Sequence, residues 1–152
     1  MTEKALFSKI AQIGVVVRDI DKAVEFYQSL GIGPFEPLPD EEIVEREMWG
    51  EPVSAERIFK AETRVAKIGS LELELIQPVA GESQFKEFLE TKGEGINHLE
   101  FQVDDINEGE AELVKKGFSV IYKCRFKNGG GVVFFDAAEI GIFSIELIQQ
   151  HG

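Results

Sequence analysis

The fold is decided by a stretch that occurs twice, IAQIGVVVRDI at residues 10–20 and INHLEFQVDDI at residues 96–106. A second repeat follows each copy, because the tetrapeptide Glu-Leu-Ile-Gln stands at residues 74–77 and again at 146–149. All four stretches lie in runs that read as β-strands. Two repeats in the same order indicate that the chain contains two copies of one supersecondary unit.

Each copy predicts the element order β-α-β-β-β. The first contains a strand at about 9–17, a helix that begins at Asp19 or Asp21, a strand near 35–38, and strands at about 62–68 and 71–77. The second contains a strand at about 95–103, a helix at 106–116, and strands near 118–125, 131–135 and 142–149. The fold class is therefore α+β, with two paired modules that form an incomplete eight-stranded barrel.

The predicted domain is single and spans residues 1–152. Module one occupies about 9–78, a linker helix about 83–92, and module two about 95–149. A chain of this length buries a substantial core in one domain or in two small, closely packed modules.

The two copies differ in one long insertion. The first copy holds 14 residues more between its equivalent positions, 12 and 74, than the second holds between 98 and 146. The extra residues fall around Pro39–Lys60, which includes a charged run and the single tryptophan, Trp49. We expect a long loop that is either a lid or a partner surface, with its charges on a solvated loop or helix face.

Strand alternation separates apolar from polar side chains in both copies. Leu99 and Phe101 point one way in their strand, and His98 and Glu100 point the other. The same alternation separates the leucines of residues 71–75 from the glutamates between them. We expect the apolar face to pack on the helix and the polar face to line a wet, ligand-holding concavity.

Four polar residues occupy equivalent positions of the two copies: Gln12 corresponds to His98, and Glu74 corresponds to Glu146. Two carboxylates, one amide oxygen and one imidazole nitrogen are ligand types for a divalent cation. Three oxygens and one nitrogen favour Mn²⁺, Co²⁺, Ni²⁺ or Zn²⁺, with open positions for water or substrate.

Composition excludes several classes of partner. The net charge of −12 argues against binding to a nucleic-acid backbone, which requires a basic face. No run of 18 apolar residues is present, so the sequence predicts no membrane span. The single cysteine, Cys124, cannot form an internal disulfide, which fits a reducing cytoplasm.

Three stretches resemble a known superfamily, the vicinal oxygen chelate proteins of the glyoxalase/bleomycin-resistance/dioxygenase fold. They are IGVVVRDIDKAVEFY at residues 13–27, GEGINHL at 93–99 with VDDI at 103–106, and IEL at 145–147. The resemblance covers about residues 9–149. Within the superfamily the chain looks most like methylmalonyl-CoA epimerases, because FLETKGEGI at 88–96 and the glycine run at 129–131 are typical of them.

The resemblance implies a divalent metal held by Gln12, Glu74, His98 and Glu146. It implies an isomerase, since such a metal assists removal of a proton next to a carbonyl. The partner would be a small-molecule substrate, an acyl-CoA thioester, and the protein would be a homodimer.

Three glutamates are candidates for proton transfer. Glu146 and Glu100 are the best candidates for the general base. An epimerase of this type also requires a second carboxylate that faces the first across the substrate. It usually lies on the strand before the one that carries Glu74. An alignment without gaps places Thr63 or Arg64 at that position. Glu62 would serve there only if a bulge intervenes, because a one-residue slip reverses the face.

Two alternatives remain from the sequence. Gln12 stands where epimerases usually carry histidine, and a Gln-Glu-His-Glu set is similar to that of zinc-type glyoxalase I, a lyase that acts on a hemithioacetal. However, Val16 occupies the position where those enzymes carry a basic residue for glutathione. A non-catalytic, drug-sequestering protein needs no metal, so metal content discriminates it from an enzyme. An iron oxygenase usually holds its metal with two histidines and a carboxylate. That ligand set is missing here, because Gln12 replaces one of the histidines.

Overall fold

The computed structural model describes residues 7–150, so residues 1–6 and 151–152 at the ends of the predicted domain lie outside the described part. The described chain forms nine strands and three α-helices, an α+β fold as predicted. The strands are β1 (Ile10–Val16), β2 (Ile43–Met48), β3 (Glu51–Pro52), β4 (Lys60–Ile68), β5 (Leu71–Ala80), β6 (Gly95–Gln102), β7 (Val120–Phe126), β8 (Gly131–Asp136) and β9 (Ser144–Gln149). The helices are α1 (Ile20–Ser29), α2 (Gln84–Lys92) and α3 (Ile106–Lys115), and a short 3-10 helix spans Ala138–Ile140.

The chain divides into two compact units, each of which is described separately. The N-terminal unit comprises residues 12–40 and 53–98. Within the described part of the chain, the C-terminal unit comprises residues 7–11, 41–52 and 99–150. The boundaries fall inside β1 and β6, so each of these strands contributes residues to both units.

In the N-terminal unit β5 lies between β1 and β4, parallel to the first and antiparallel to the second. The alternating leucines of β5 place Leu73 and Leu75 on the face covered by α1, where they pack with Val15 and Ile20. Burying a leucine side chain contributes about 1.5–3 kcal/mol, so these contacts fix α1 against the sheet. Glu72 and Glu74 of β5 lie on the opposite face of the strand.

The first and third helices begin in the same way. Asp19 caps α1 by accepting a hydrogen bond from the backbone N–H of Lys22, and Asp105 caps α3 by accepting from the N–H groups of Asn107 and Glu108. An aspartate at this position satisfies backbone donors that the first turn leaves unpaired. The structure thus resolves the two N-cap candidates of α1 in favour of Asp19.

In the C-terminal unit the strands follow the order β3-β2-β7-β8-β9-β6. Pairings along β2-β7-β8-β9 are antiparallel. Val133, Phe135 and Leu147 are fully buried and form one core with Ile106 and Leu113 of α3. As in the N-terminal unit, a helix covers one face of the sheet.

Two sequence predictions in the insertion region were wrong. The strand near 35–38 is reduced to a single bridge between Glu36 and Val65. The region 39–60 is not a long loop, because β2 and β3 form within it and β2 pairs with β7. The sequence did not predict β2, because Glu and Arg have weak strand propensity. In the structure, backbone pairing with β7 outweighs that weak propensity. No helix among residues 7–150 is long and apolar enough to cross a bilayer.

Candidate metal centre

His98 is the centre of a buried polar cluster in the N-terminal unit. Its side chain is 0% exposed, and the ring of Phe85 lies 6.2 Å from it, centroid to centroid. The Nδ1 atom lies 2.9 Å from Oδ1 of Asn97. Because a carbonyl oxygen only accepts, Nδ1 carries the proton and donates it to Asn97. The lone pair of the neutral ring is then on Nε2.

The amide of Gln12 is oriented by its neighbour on β5. Gln12 lies opposite Glu72 in the parallel register, and its Nε2 donates a hydrogen bond of 2.7 Å to Oε1 of Glu72. This contact fixes which end of the amide is which, so the Oε1 atom of Gln12 points at His98. The distance from Gln12 Oε1 to His98 Nε2 is 3.2 Å.

Glu74 supplies a second oxygen to the same point. Its Oε1 lies 3.4 Å from Nε2 of His98, and its side chain is buried. Two acceptor oxygens and an imidazole lone pair repel one another unless a positive charge is shared among them. A metal cation placed among the three atoms would supply that charge. The donor set of one nitrogen and two oxygens fits Mn²⁺, Co²⁺, Ni²⁺ or Zn²⁺.

The cluster depends on an amide as well as on ionisable groups. Among residues 7–150 no three side chains of His, Cys, Asp and Glu gather closely enough to hold a metal ion. Gln12 therefore completes the set with His98 and Glu74 in this unit. The His98–Asn97 contact has the form expected of a metal-binding histidine, whose second ring nitrogen donates to an oxygen that fixes the ring.

Gly14 makes room for the histidine ring. A Cβ atom at Gly14 would lie 2.0 Å from Cε1 and 2.4 Å from Nε2 of His98, far inside van der Waals contact. The ring thus lies directly over the β1 backbone where a side chain would otherwise stand. Gly14 also lies opposite Glu74 in the β1–β5 register, so one glycine makes room for the contact between His98 and Glu74.

We expect Gly14→Ala to displace the His98 ring and to lower the free energy of unfolding by about 1–3 kcal/mol, the usual cost of overpacking. Urea denaturation measures this loss. The matched control is the same substitution in a His98→Ala background, where the ring is absent and the alanine fits. The position of the ring is contradicted if the two substitutions prove additive in this double-mutant cycle.

The predicted fourth ligand belongs to the other unit. Glu146 lies on β9 in the C-terminal unit and is 6% exposed, and Glu100, on the β6 segment of the same unit, is 7% exposed. Both candidate bases are therefore buried carboxylates. Whether Glu146 completes the ligand set, and which of the two glutamates moves a proton, stay predictions.

Glu62 lies on the wrong face of β4 for the role considered for it. It pairs with Gln77 across the strands, whereas Val65 pairs with Glu74. The register is unbroken from Ala61 to Ile68, so the bulge on which the Glu62 hypothesis depends does not occur there. The side chain of Glu62 is 54% exposed and lies 3.8 Å from Arg64.

Comparison with known proteins identifies the family. Residues 11–135 match the family model of the glyoxalase/bleomycin resistance protein/dioxygenase superfamily. The chain belongs to this superfamily. Its glyoxalase-like fold and its resemblance to methylmalonyl-CoA epimerases, both expected from the sequence, are confirmed.

This protein is similar in fold to methylmalonyl-CoA epimerases. The crystal structure of the methylmalonyl-CoA epimerase from Mycobacterium tuberculosis has a TM-score of 0.69 at 21% sequence identity. The match covers 100% of this chain and 94% of the epimerase chain. A variant of the Streptomyces coelicolor epimerase in complex with 2-nitronate-propionyl-CoA has a TM-score of 0.66 at 24% identity, covering 96% and 99%. The uncharacterized protein YqjC of Bacillus subtilis (strain 168) is 26% identical over 148 residues, 95% of this chain and 94% of that protein.

Sequence reasoning missed the residues that orient the side chains of His98 and Gln12. Asn97 fixes the His98 ring and Glu72 fixes the Gln12 amide. Alternation already placed Glu72 on the polar face with Glu74, which was a usable signal. Nothing in the sequence showed that Asn97, the immediate neighbour of His98, would turn back to its ring.

Proposed function

We propose that this protein is a divalent-metal-dependent isomerase that removes the proton next to the carbonyl of an acyl-CoA thioester, in the manner of a methylmalonyl-CoA epimerase. The observation that carries the proposal is the convergence of Gln12 Oε1 and Glu74 Oε1 on Nε2 of His98. Superfamily membership and the epimerases among the structural neighbours support it.

Proton abstraction at this position places negative charge on the carbonyl oxygen. A bound divalent cation supplies the Lewis acid that stabilises this charge. Gln12, Glu74 and His98 would hold the cation, while Asn97 and Glu72 keep the donor atoms of His98 and Gln12 directed at it. These contacts position the ligands before substrate arrives, which lowers the reorganisation needed in the transition state.

A carboxylate of this chain would act as the general base. Glu146 and Glu100 are the two candidates, and both are buried. Burial keeps water from competing for the proton and strengthens electrostatic interactions with the substrate. Glu62 is not carried forward as the opposing acid, because its register places it away from Glu74.

Glyoxalase I-like lyase activity on a hemithioacetal is the second candidate. It is favoured by one observation, the amide oxygen of Gln12 directed at His98 where epimerases usually carry histidine. A drug-sequestering binding protein would need no cation and is separated from both enzymes by metal content. We further propose a homodimer in the cytoplasm, with no nucleic-acid partner.

The proposed reaction is tested by exchange of the C2 proton of methylmalonyl-CoA in deuterium oxide. We expect exchange with Co²⁺ or Mn²⁺ present and none after treatment with a chelator, as followed by mass spectrometry. Exchange needs one working base, whereas inversion also needs proton delivery to the opposite face. Turnover of a hemithioacetal without exchange of the thioester would favour the glyoxalase-like candidate instead.

A further inference from the structure

The polar cluster around His98 is buried, and helix α2 of the same unit contributes to its cover. His98 is 0% exposed, and Gln12 and Glu74 are buried as well. The first turn of α2 places the ring of Phe85 6.2 Å from that of His98, and the ring of Phe59 lies 5.8 Å from that of Phe85. A cation or a reagent therefore reaches His98 only when a neighbour of the histidine moves.

The buried face of α2 carries a polar side chain that has no partner. Gln84, Phe85 and Phe88 are the buried residues of this helix. Gln84 is 3% exposed, and neither Oε1 nor Nε2 of its amide has a hydrogen-bond partner among residues 7–150. An amide buried in this way loses its hydration and gains no hydrogen bond in return. The observed position of α2 is therefore destabilised by Gln84, and exposure of the amide to water would remove that cost.

The polar side chains of α2 make their contacts within the segment 82–92. The hydroxyl of Ser83 accepts a hydrogen bond from the backbone N–H of Lys86, and the ammonium of Lys86 pairs with Glu82 and Glu90. The hydroxyl of the one threonine in the helix also bonds inside it. In the described part of the chain, no side-chain hydrogen bond or ion pair joins this segment to another element. Movement of α2 would break apolar contacts but no ion pair.

A glycine lies at each end of this segment. Gly81 has a φ of +78° and Gly93 a φ of +84°, which are backbone conformations that favour glycine. Residues at the ends of elements absorb the backbone changes when a segment moves as a unit. A Cβ atom at Gly93 would meet no other atom within 4 Å, so the chain has space around it there.

We propose that α2 is a gate over His98, and that the unpaired amide of Gln84 favours its opening. Outward movement of the first turn uncovers the histidine ring and hydrates the amide, and the return buries Phe85 and Phe88 again. The phenylalanines stabilise the closed position and Gln84 opposes them, so the amide reduces the free-energy difference between the two positions. Such a gate admits a cation and then excludes water from the site. It concerns access to His98 and goes beyond the proposed reaction.

Modification of His98 by diethyl pyrocarbonate measures the opening without metal or substrate. This reagent acylates a neutral imidazole that it can reach, and peptide mass spectrometry distinguishes His98 from the second histidine, His151. Gln84→Met keeps the approximate shape of the side chain and removes both unpaired polar groups. We expect it to slow modification of His98 by about 10-fold or more. Phe85→Leu, which buries less apolar surface, should speed the modification.

The matched control is Gln28→Met, the same replacement at an exposed glutamine of α1 in the same unit. It should leave the modification rate of His98 unchanged. Low concentrations of urea separate the gate from global unfolding, because local opening exposes little surface and its rate changes little with urea. Equal rates for Gln84→Met and wild type overturn the proposal, as does a wild-type rate that rises with urea as steeply as global unfolding.

The kinetics of Co²⁺ binding, followed by stopped-flow absorbance, test the same gate at the metal. If α2 is closed both before and after the cation binds, Gln84→Met stabilises the two closed states equally. Association and dissociation should then slow together by about 10-fold, and the Kd should stay nearly unchanged. A changed Kd with an unchanged association rate means that Gln84 shapes the site rather than access to it, and overturns the proposal. If wild-type protein binds no Co²⁺, the metal-site proposal fails, and the modification of His98 decides on the gate alone.

Discussion

Replacing His98 with alanine is expected to abolish binding of Mn²⁺, Co²⁺, Ni²⁺ and Zn²⁺, because it removes the nitrogen on which the oxygens of Gln12 and Glu74 converge. The loss should exceed the roughly 10- to 100-fold that follows from removing an outer-shell partner. Calorimetric titration of chelator-treated protein measures it, and the visible spectrum of bound Co²⁺ reports the ligand set.

Variants of Asn97 provide the graded comparison. Asn97→Ala should weaken metal binding by about 10- to 100-fold, since the ring loses the acceptor that fixes its tautomer. Asn97→Asp keeps an acceptor at Nδ1 and should retain binding. The exposed carboxylate variant Glu62→Gln lies on the other face of β4 and should bind as wild type. Wild-type protein that holds none of the four metals would contradict the metal-site prediction.

Replacing the general base is expected to give the largest loss of activity. Either Glu146→Gln or Glu100→Gln should slow C2 proton exchange by about 10²- to 10⁴-fold, the usual contribution of a positioned base. Glutamine preserves the shape of the buried side chain but cannot accept the proton. The variant that retains exchange identifies the carboxylate that is not the base.

Metal affinity must be measured on the same variants, because Glu146 is also the predicted fourth ligand. A Glu146→Gln protein that still binds Co²⁺ but does not exchange assigns this residue to proton transfer. One that loses Co²⁺ assigns it to the metal. If both single variants exchange at the wild-type rate while metal binding is unchanged, neither glutamate is the base and the proposed assignment is wrong.

Much of the fold was predictable because its signals are local. A capping aspartate and the alternation of apolar residues in a strand act over a few positions, so the first helix, with Asp19 among its two cap candidates, and the strand with the leucines of β5 were predicted correctly. The strand at 43–48 gave no such signal. Its charged residues have weak strand propensity, and pairing with β3 and β7 supplies the stability that the local sequence lacks.

The candidate site was predictable to the level of residue type. Internal repetition paired Gln12 with His98, and the structure brings their side chains to 3.2 Å. The repeat also concealed a difference, since position 14 is glycine where the second copy has Glu100. Only the structure shows why a glycine stands there, with the His98 ring occupying the space of its missing Cβ.

The sequence by itself determined the glyoxalase-like fold class, the helices after β1 and β6, and the alternation that separates the two faces of each strand. It could do so because these depend on periodicity along a short run of backbone. The tertiary structure decided which atoms meet: Oδ1 of Asn97 at Nδ1 of His98, and the oxygens of Gln12 and Glu74 at Nε2. Such contacts join strands distant in sequence, and their distances follow from register and packing, which no local pattern encodes.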